Sequence, residues 1–173
     1  MHIPHRRTLP FLLSLLLFSL FLLAPAAHAA PQGINYLVTR LDDPTPDGCQ
    51  ANDCSLREAV LAANATTTVD SISVTVPGTI ELSIAGANED LGATGDLDIL
   101  NSTIIQGQGS EVTIVDGNGL DRVFDFVSPP DAAASGIVTS TLSALTVTGG
   151  NVELAPDEPE GAGGGIRVGA GQS

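Results

Sequence analysis

The chain of 173 residues has no lysine and no tryptophan, and its six arginines stand against 20 aspartates and glutamates. The formal net charge is −14 at pH 7. Proteins that bind nucleic acids or anionic membranes use lysine and arginine to contact phosphate groups. The sequence therefore predicts no nucleic-acid partner. The excess of carboxylates is typical of a solvated surface or of a chain that binds cations.

Histidine is confined to the first 28 positions, as His2, His5 and His28. The rest of the chain can therefore form neither a Ser-His-Asp nor a Cys-His catalytic group, and no histidine-ligated zinc site. Carboxylates are the ordinary general acids and bases that remain. We predict no catalytic residue and favour a protein that is not an enzyme.

The first 29 residues have the pattern of a signal peptide. Arg6 and Arg7 precede an almost unbroken apolar run over residues 11–24, and Ala27-His28-Ala29 supplies small residues in an A-x-A frame. The apolar run is shorter than the about 20 residues that a membrane-spanning helix needs. We predict cleavage after Ala29, a secreted or cell-surface protein, and no membrane insertion beyond the signal peptide.

The chain has two cysteines, Cys49 and Cys54, which predict a disulfide because oxidising compartments favour one. Closing so small a loop stabilises the fold by about 2 kcal/mol in the chain-entropy model. The alternative is two free, partly buried thiols.

The loop that carries these cysteines has some features of a calcium loop. Asp43, Thr45, Asp47 and Gly48 occupy its first, third, fifth and sixth positions, but the twelfth is Cys54, where a bidentate glutamate is required. We predict no cofactor and no metal site, with Ca²⁺ left open as a ligand.

A short helix is predicted to begin directly after the cysteines. Ser55 is a favourable N-cap, and Glu58 three residues later completes a capping box. The helix covers about three turns and needs a surface to pack against, since a helix of that length is unstable alone. Its apolar face consists of Leu56, Ala59, Val60 and Ala63.

The rest of the chain indicates short strands. Residues 34–41 predict a first strand, and apolar residues alternate with polar ones over 71–84, on either side of a turn at Pro77-Gly78. Residues 102–110, 112–120 and 145–153 each combine a short β-branched run with glycine and small polar residues. Without crossover helices between them, such repeats favour stacked coils, at about 20 residues per coil.

These patterns predict a mainly β fold, a parallel β-helix with a capping helix at its N-terminal end. The first coil has no neighbour below it, and its open edge requires a cap. We expect a signal peptide over residues 1–29, a strand, cysteine loop and capping helix over 30–66, and β-helix coils over 67–173.

The stretch "DGCQANDCSLREAVLAANAT" resembles the CSLREA-type N-terminal region of exported bacterial proteins, whose signature the six residues 54–59 match. The segments "GDLDIL", "TIIQGQG" and "LSALTVTGG" resemble the coils of right-handed parallel β-helix proteins, some described as polymorphic outer-membrane-protein-like or pectate-lyase-like. The resemblance implies export, a right-handed β-helix and a surface location, and it supplies no catalytic residues. Because no second cap follows residue 168, we expect a longer protein, truncated here at its C-terminus.

Two functions fit these observations. The first is a non-enzymatic surface protein with a structural or adhesion role, whose partners are extracellular polysaccharides or cell-surface components. The alternative is a polysaccharide lyase or glycoside hydrolase that uses paired carboxylates. Against it, Asp116 has a turn composition around it, and Asp98 alternates with apolar neighbours as an outward strand residue. The residues available for that chemistry are Asp96, Asp98, Asp116, Asp121, Asp125 and Arg122.

Overall fold

The computed structural model describes residues 32–86, 89–128, 139–151 and 163–170. The predicted signal peptide lies outside these ranges. The described part is mainly β with one short helix, which confirms the predicted class. The elements are β1 (Asn35–Val38), α1 (Leu56–Asn64), β2 (Asp70–Val74), β3 (Gly78–Glu81), β4 (Leu97–Ile99), β5 (Thr103–Gln106), β6 (Thr113–Asp116), β7 (Phe124–Ser128), β8 (Thr141–Ser143), β9 (Thr146–Thr148) and β10 (Ile166–Ala170).

The strands form three sheets, and every paired strand in them is parallel to its neighbour. The first sheet has the order β1-β2-β5-β8, the second β3-β6-β9, and the third β4-β7-β10. Three consecutive strands enter the three sheets in turn, and the next three repeat the same order. We call these groups layer 1 (β2–β4), layer 2 (β5–β7) and layer 3 (β8–β10).

One layer uses far more chain than the predicted 20 residues. Paired Cα positions are Asn35 and Ser71 in the first sheet, and Leu97 and Phe124 in the third. These pairs are 36 and 27 positions apart, and Phe124 and Ile166 are 42 apart. The predicted coil length is wrong because the corner segments, such as residues 82–96, add length that the strand repeats do not reveal.

The core is built from apolar side chains that stack in register from layer to layer. Alternation in β2 places Ile72 and Val74 in the interior, as the period-two pattern predicts. Each column removes apolar surface from water along the whole stack, which is the main source of stability in such a fold. The paired columns include Ile72, Ile105 and Leu142; Ile80, Val115 and Val147; and Leu97 and Phe124, whose partner in layer 3, Ile166, is 43% exposed.

Helix α1 covers one end of this stack. The Ser55 hydroxyl accepts a hydrogen bond from the Glu58 backbone N–H at 3.2 Å, and the Glu58 carboxylate accepts one from the Ser55 N–H at 2.7 Å. The apolar face of the helix is buried against β1, β2 and β4. Because β1 and β4 are the edge strands of their sheets, the helix packs over the end of the core.

The loop before α1 is closed by a disulfide between Cys49 and Cys54, at the predicted residues. The Cys54 side chain is fully buried and belongs to the core, while Cys49 packs against it. Within the described ranges, no helix is long and apolar enough to cross a membrane.

Candidate functional site

Arg57 joins the capping helix to the corner segment 89–96. Its side chain is fully buried. Nε and Nη2 donate to the two carboxylate oxygens of Asp43, at 2.8 and 3.0 Å. Nη1 donates to the carbonyl oxygens of Gly92 and Asp96, at 2.9 and 3.0 Å, and Nη2 also donates to that of Gly95 at 2.8 Å. All five N–H groups of the guanidinium therefore have an acceptor.

Asp43 is engaged on its other side as well. One of its carboxylate oxygens accepts from the Ser83 backbone N–H at 2.9 Å, and the Ser83 hydroxyl donates to the Asp43 carbonyl at 2.9 Å. The Asp47 backbone N–H donates to the Glu58 carboxylate at 3.2 Å. The loop that has features of a calcium loop therefore directs its first carboxylate to an arginine and to backbone amides.

Three buried carboxylates meet beside this network, and we call Asp96, Asp98 and Asp125 the carboxylate cluster. Each offers an oxygen that lies within 4.8 Å of the others. Their exposed fractions are only 3%, 1% and 1%. The register creates the cluster, since Asp98 of β4 pairs directly with Asp125 of β7. Asp96 lies two positions before Asp98, and side chains at that spacing share one face of a strand.

Two arginines lie against the cluster. Arg122 Nε donates to Asp96 at 3.2 Å, and Arg122 Nη2 lies 3.6 Å from Asp125 Oδ2. Arg167 occupies the position of β10 that pairs with Asp125, and its Nε donates to the same Oδ2 at 2.9 Å. The third sheet therefore carries the sequence Asp98, Asp125, Arg167 from layer 1 to layer 3.

Two carboxylate oxygens of the cluster accept no hydrogen bond from the described residues. Asp98 Oδ2 accepts from the Gly92 backbone N–H at 2.7 Å, but Asp98 Oδ1 has no partner. Asp125 Oδ2 faces the arginines, and Asp125 Oδ1 is likewise buried without a hydrogen bond. Buried polar atoms without partners are costly and rare in native proteins.

The pKa values of two members reflect this burial. Burial, reinforced by the charge of Asp121, raises the pKa of Asp96 to about 6 against the opposing effect of Arg122. Burial and the charge of Asp96 raise the pKa of Asp98 to about 8, although the Gly92 N–H favours its ionised form. The cluster thus resists carrying its full negative charge without a compensating ion.

The carbohydrate-active alternative was predicted from five aspartates and Arg122, and the structure separates one aspartate, Asp116, from the others. Asp116 ends β6 in a different sheet, where its carboxylate accepts from the Asn118 backbone N–H at 2.9 Å within a turn. The other four carboxylates are at most 3% exposed. An inverting hydrolase needs two carboxyl groups about 6.5–9.5 Å apart with room for a sugar and a water. The residues brought together are Asp96, Asp98, Asp121, Asp125 and Arg122.

Asp98 was predicted to be an outward residue of its strand, but the structure buries it: its exposed fraction is 1%. Asp98 points away from the core, but segment 89–96 covers it, as the Gly92 hydrogen bond shows. A charged residue between apolar neighbours indicates a strand face, and it does not reveal what lies over that face.

A separate, mostly apolar cavity of about 410 Å³ is lined by residues of all three layers, among them Ile99, Phe126, Leu142 and Ile166. Among the described residues, no ionisable side chain lines it. The groups capable of acid–base or metal chemistry are in the carboxylate cluster, away from this cavity.

Comparisons with protein-family models, with curated proteins and with solved structures gave no match.

Proposed function

We propose that the protein is an exported, right-handed parallel β-helix that acts as a structural or adhesion-type scaffold at the cell surface. The observation that carries the proposal is the rotation of consecutive strands through three parallel sheets, with α1 over one end. Such a stack presents a regular surface, formed by the outward faces of its parallel sheets. Extended surfaces of this kind are what repeat proteins use to bind their partners.

General stereochemistry supports the right-handed form. Connections between parallel strands of one sheet are right-handed in about 98% of proteins, because of the twist of the strands. Here β2, β5 and β8 belong to one sheet and are joined through the other two. If each of these connections is right-handed, the chain winds around the stack as a right-handed β-helix.

The burial of the carboxylates supports a role without catalysis. Asp98 lies under segment 89–96, which ends at Asp96, and the neighbours of these residues and of Asp125 include arginines and a backbone amide of the same chain. Carboxylates that are at most 3% exposed offer no open face to a polysaccharide substrate. The signal-peptide pattern of residues 1–29 and the resemblance of residues 54–59 to the CSLREA-type region support export and a surface location. Extracellular polysaccharides or cell-surface components are the partners proposed on the same grounds.

Expression of the full chain in a bacterial host tests the export part of the proposal. We expect the recovered protein to begin at residue 30, and to be found in the medium or digested by protease added to intact cells. An intact precursor retained in the cytoplasm would overturn it.

A product assay tests the absence of catalysis. Purified protein is incubated with acidic and neutral polysaccharides, and reducing ends and unsaturated products are measured. We expect neither to form. Product formation that Asp98→Asn abolishes, and that Asp116→Asn does not, would establish the carbohydrate-active alternative instead.

A further inference from the structure

We propose that the carboxylate cluster binds one hard divalent cation, of the Ca²⁺ or Mg²⁺ class, between layers 1 and 2. The site would fasten segment 89–96 to the third sheet. The inference does not depend on the scaffold role, because it rests only on the surroundings of Asp96, Asp98 and Asp125.

The donor set selects the class of cation. Carboxylate oxygens are the ligands of Ca²⁺ and Mg²⁺, whereas zinc and copper sites use cysteine or histidine. The three oxygens lie within 4.8 Å of one another. Two ligands on opposite sides of a Ca²⁺ ion, each at about 2.4 Å, are separated by about the same distance. The cluster therefore has the dimensions of a coordination sphere.

The charges around the cluster do not balance without a further positive group. Within the part of the chain that the structure describes, four buried carboxylates face two guanidinium groups, which leaves a formal charge of −2 when all are ionised. Arg57 does not correct the imbalance, because it forms its ion pair with Asp43. Burying net charge is expensive, and one divalent cation would neutralise it. The groups counted are Asp96, Asp98, Asp121, Asp125, Arg122 and Arg167.

The two oxygens without hydrogen bonds provide independent support. Asp98 Oδ1 and Asp125 Oδ1 belong to side chains that are 1% exposed, and they are the oxygens that Gly92 and the arginines do not engage. These residues are paired across β4 and β7, so their side chains are neighbours on one face of the third sheet. A cation would satisfy both of them at once.

Protonation of the carboxyl groups is the other way to remove the charge, and calorimetry separates the two. The purified protein is treated with a chelator, dialysed, and titrated with CaCl₂ and in parallel with MgCl₂. We expect one ion per chain and a thermal midpoint that rises with cation concentration. The comparison of the two salts identifies the ion.

Matched variants assign the site. Asp98→Asn and Asp125→Asn keep the shape of the side chains, and we expect each to weaken binding on the order of tenfold or more. Asp116→Asn is the control, because Asp116 lies in another sheet, and we expect wild-type affinity. Equal binding by all three variants would place the ion elsewhere and overturn the proposal.

The wild-type titration decides the question even if the cluster variants fail to fold. Absence of heat and of any shift in the thermal midpoint with either cation would overturn the site. In that case the cluster is held together by protons, and Asp98→Asn should fold at least as stably as the wild type.

Discussion

Arg57 is a fully buried cation whose guanidinium N–H groups all have acceptors. Its five donors reach one carboxylate and three backbone carbonyls, and its side chain has no exposure. Lysine would keep the charge but has three donors and no planar fork. Buried carbonyls that lose their donors cost free energy even when the charge remains.

We therefore expect Arg57→Lys to lower the free energy of unfolding by roughly 2–4 kcal/mol. Urea unfolding followed by circular dichroism measures it. The matched control is Arg40→Lys, because Arg40 pairs with Asp42 and Asp53 at the surface and should tolerate the change. Equal urea midpoints for the two variants would refute the structural role assigned to Arg57.

Glu58 gives the capping box a dependence on pH. Burial tends to raise the pKa of Glu58, but hydrogen bonds from the Ser55 and Asp47 backbone N–H groups outweigh it, and the pKa lies below 4.5. A carboxylate whose pKa is lower in the folded state stabilises the fold above its unfolded pKa. That stabilisation is lost as the pH falls through the folded pKa.

We expect Glu58→Gln to be less stable than the wild type near neutral pH, and the difference to shrink as the pH falls below 4.5. Thermal midpoints measured across this range check it. Glu111→Gln, at an exposed position, is the control and should match the wild type throughout. A stability difference that stays constant down to acid pH would show that the charge of Glu58 contributes nothing.

The two residues differ in how well the sequence predicts them. Ser55 and Glu58 are three positions apart, so their box follows from local spacing. Arg57 stands between them, but its partners lie 14 to 39 positions away. Only the folded chain brings those partners to Arg57. The resemblance to the CSLREA-type signature includes Arg57, but it does not say which groups the side chain contacts.

At the scale of elements, the corners between strands determine how closely the layers approach. Gly107 follows β5, and its N–H donates to the Ser143 carbonyl of layer 3 at 2.9 Å. A Cβ at this position would lie 2.2 Å from the Ala144 carbonyl oxygen and 2.9 Å from Thr113 Cβ. Backbone on one side and a buried strand residue on the other leave no room for relaxation.

We expect Gly107→Ala to destabilise the protein by about 1–3 kcal/mol through this overlap. The free energy of unfolding in urea measures it. Gly165→Ala is the control, since the nearest atom to its Cβ among the described residues would be Val147 Cγ1, at 3.7 Å. If both variants unfold at the same urea concentration, the close approach of layers 2 and 3 at Gly107 is not a constraint.

The strands themselves were predictable where alternation was regular, as in β2 and β3. The pairing of strands from one layer to the next was not predictable, because paired residues are between 27 and 42 positions apart along the chain. One signal was present in the sequence: a charged residue between two apolar ones recurs in β4, β7 and β10. The triplets are Leu97-Asp98-Ile99, Phe124-Asp125-Phe126 and Ile166-Arg167-Val168, and they pair in register. Their stacking created the carboxylate cluster.

At the scale of the molecule, α1 and its disulfide-closed loop cover one end of the sheets. Without them, the edges of β1 and β4 and the core residues beneath would be open to other chains. We expect a variant lacking residues 48–66 to form oligomers or aggregates, as measured by size exclusion with light scattering.

The double variant Cys49→Ser, Cys54→Ala keeps the helix, places no hydroxyl at the fully buried position 54, and serves as the control. It should remain monomeric and lose about 2 kcal/mol of stability. A deletion variant that stays monomeric with an unchanged thermal midpoint would remove the capping role of this segment.

The distance along the chain between paired strands also affects how fast the protein folds. Every strand pairing described here joins residues at least 27 positions apart, and none is a hairpin. Each pairing therefore requires a long loop to close before it yields any favourable contact. Folds dominated by such non-local pairings refold on the order of milliseconds to seconds, far more slowly than helical bundles. During that interval the contacts of α1 with β2 and β1 can form earliest, because these strands lie within 18 and 29 positions of the helix along the chain.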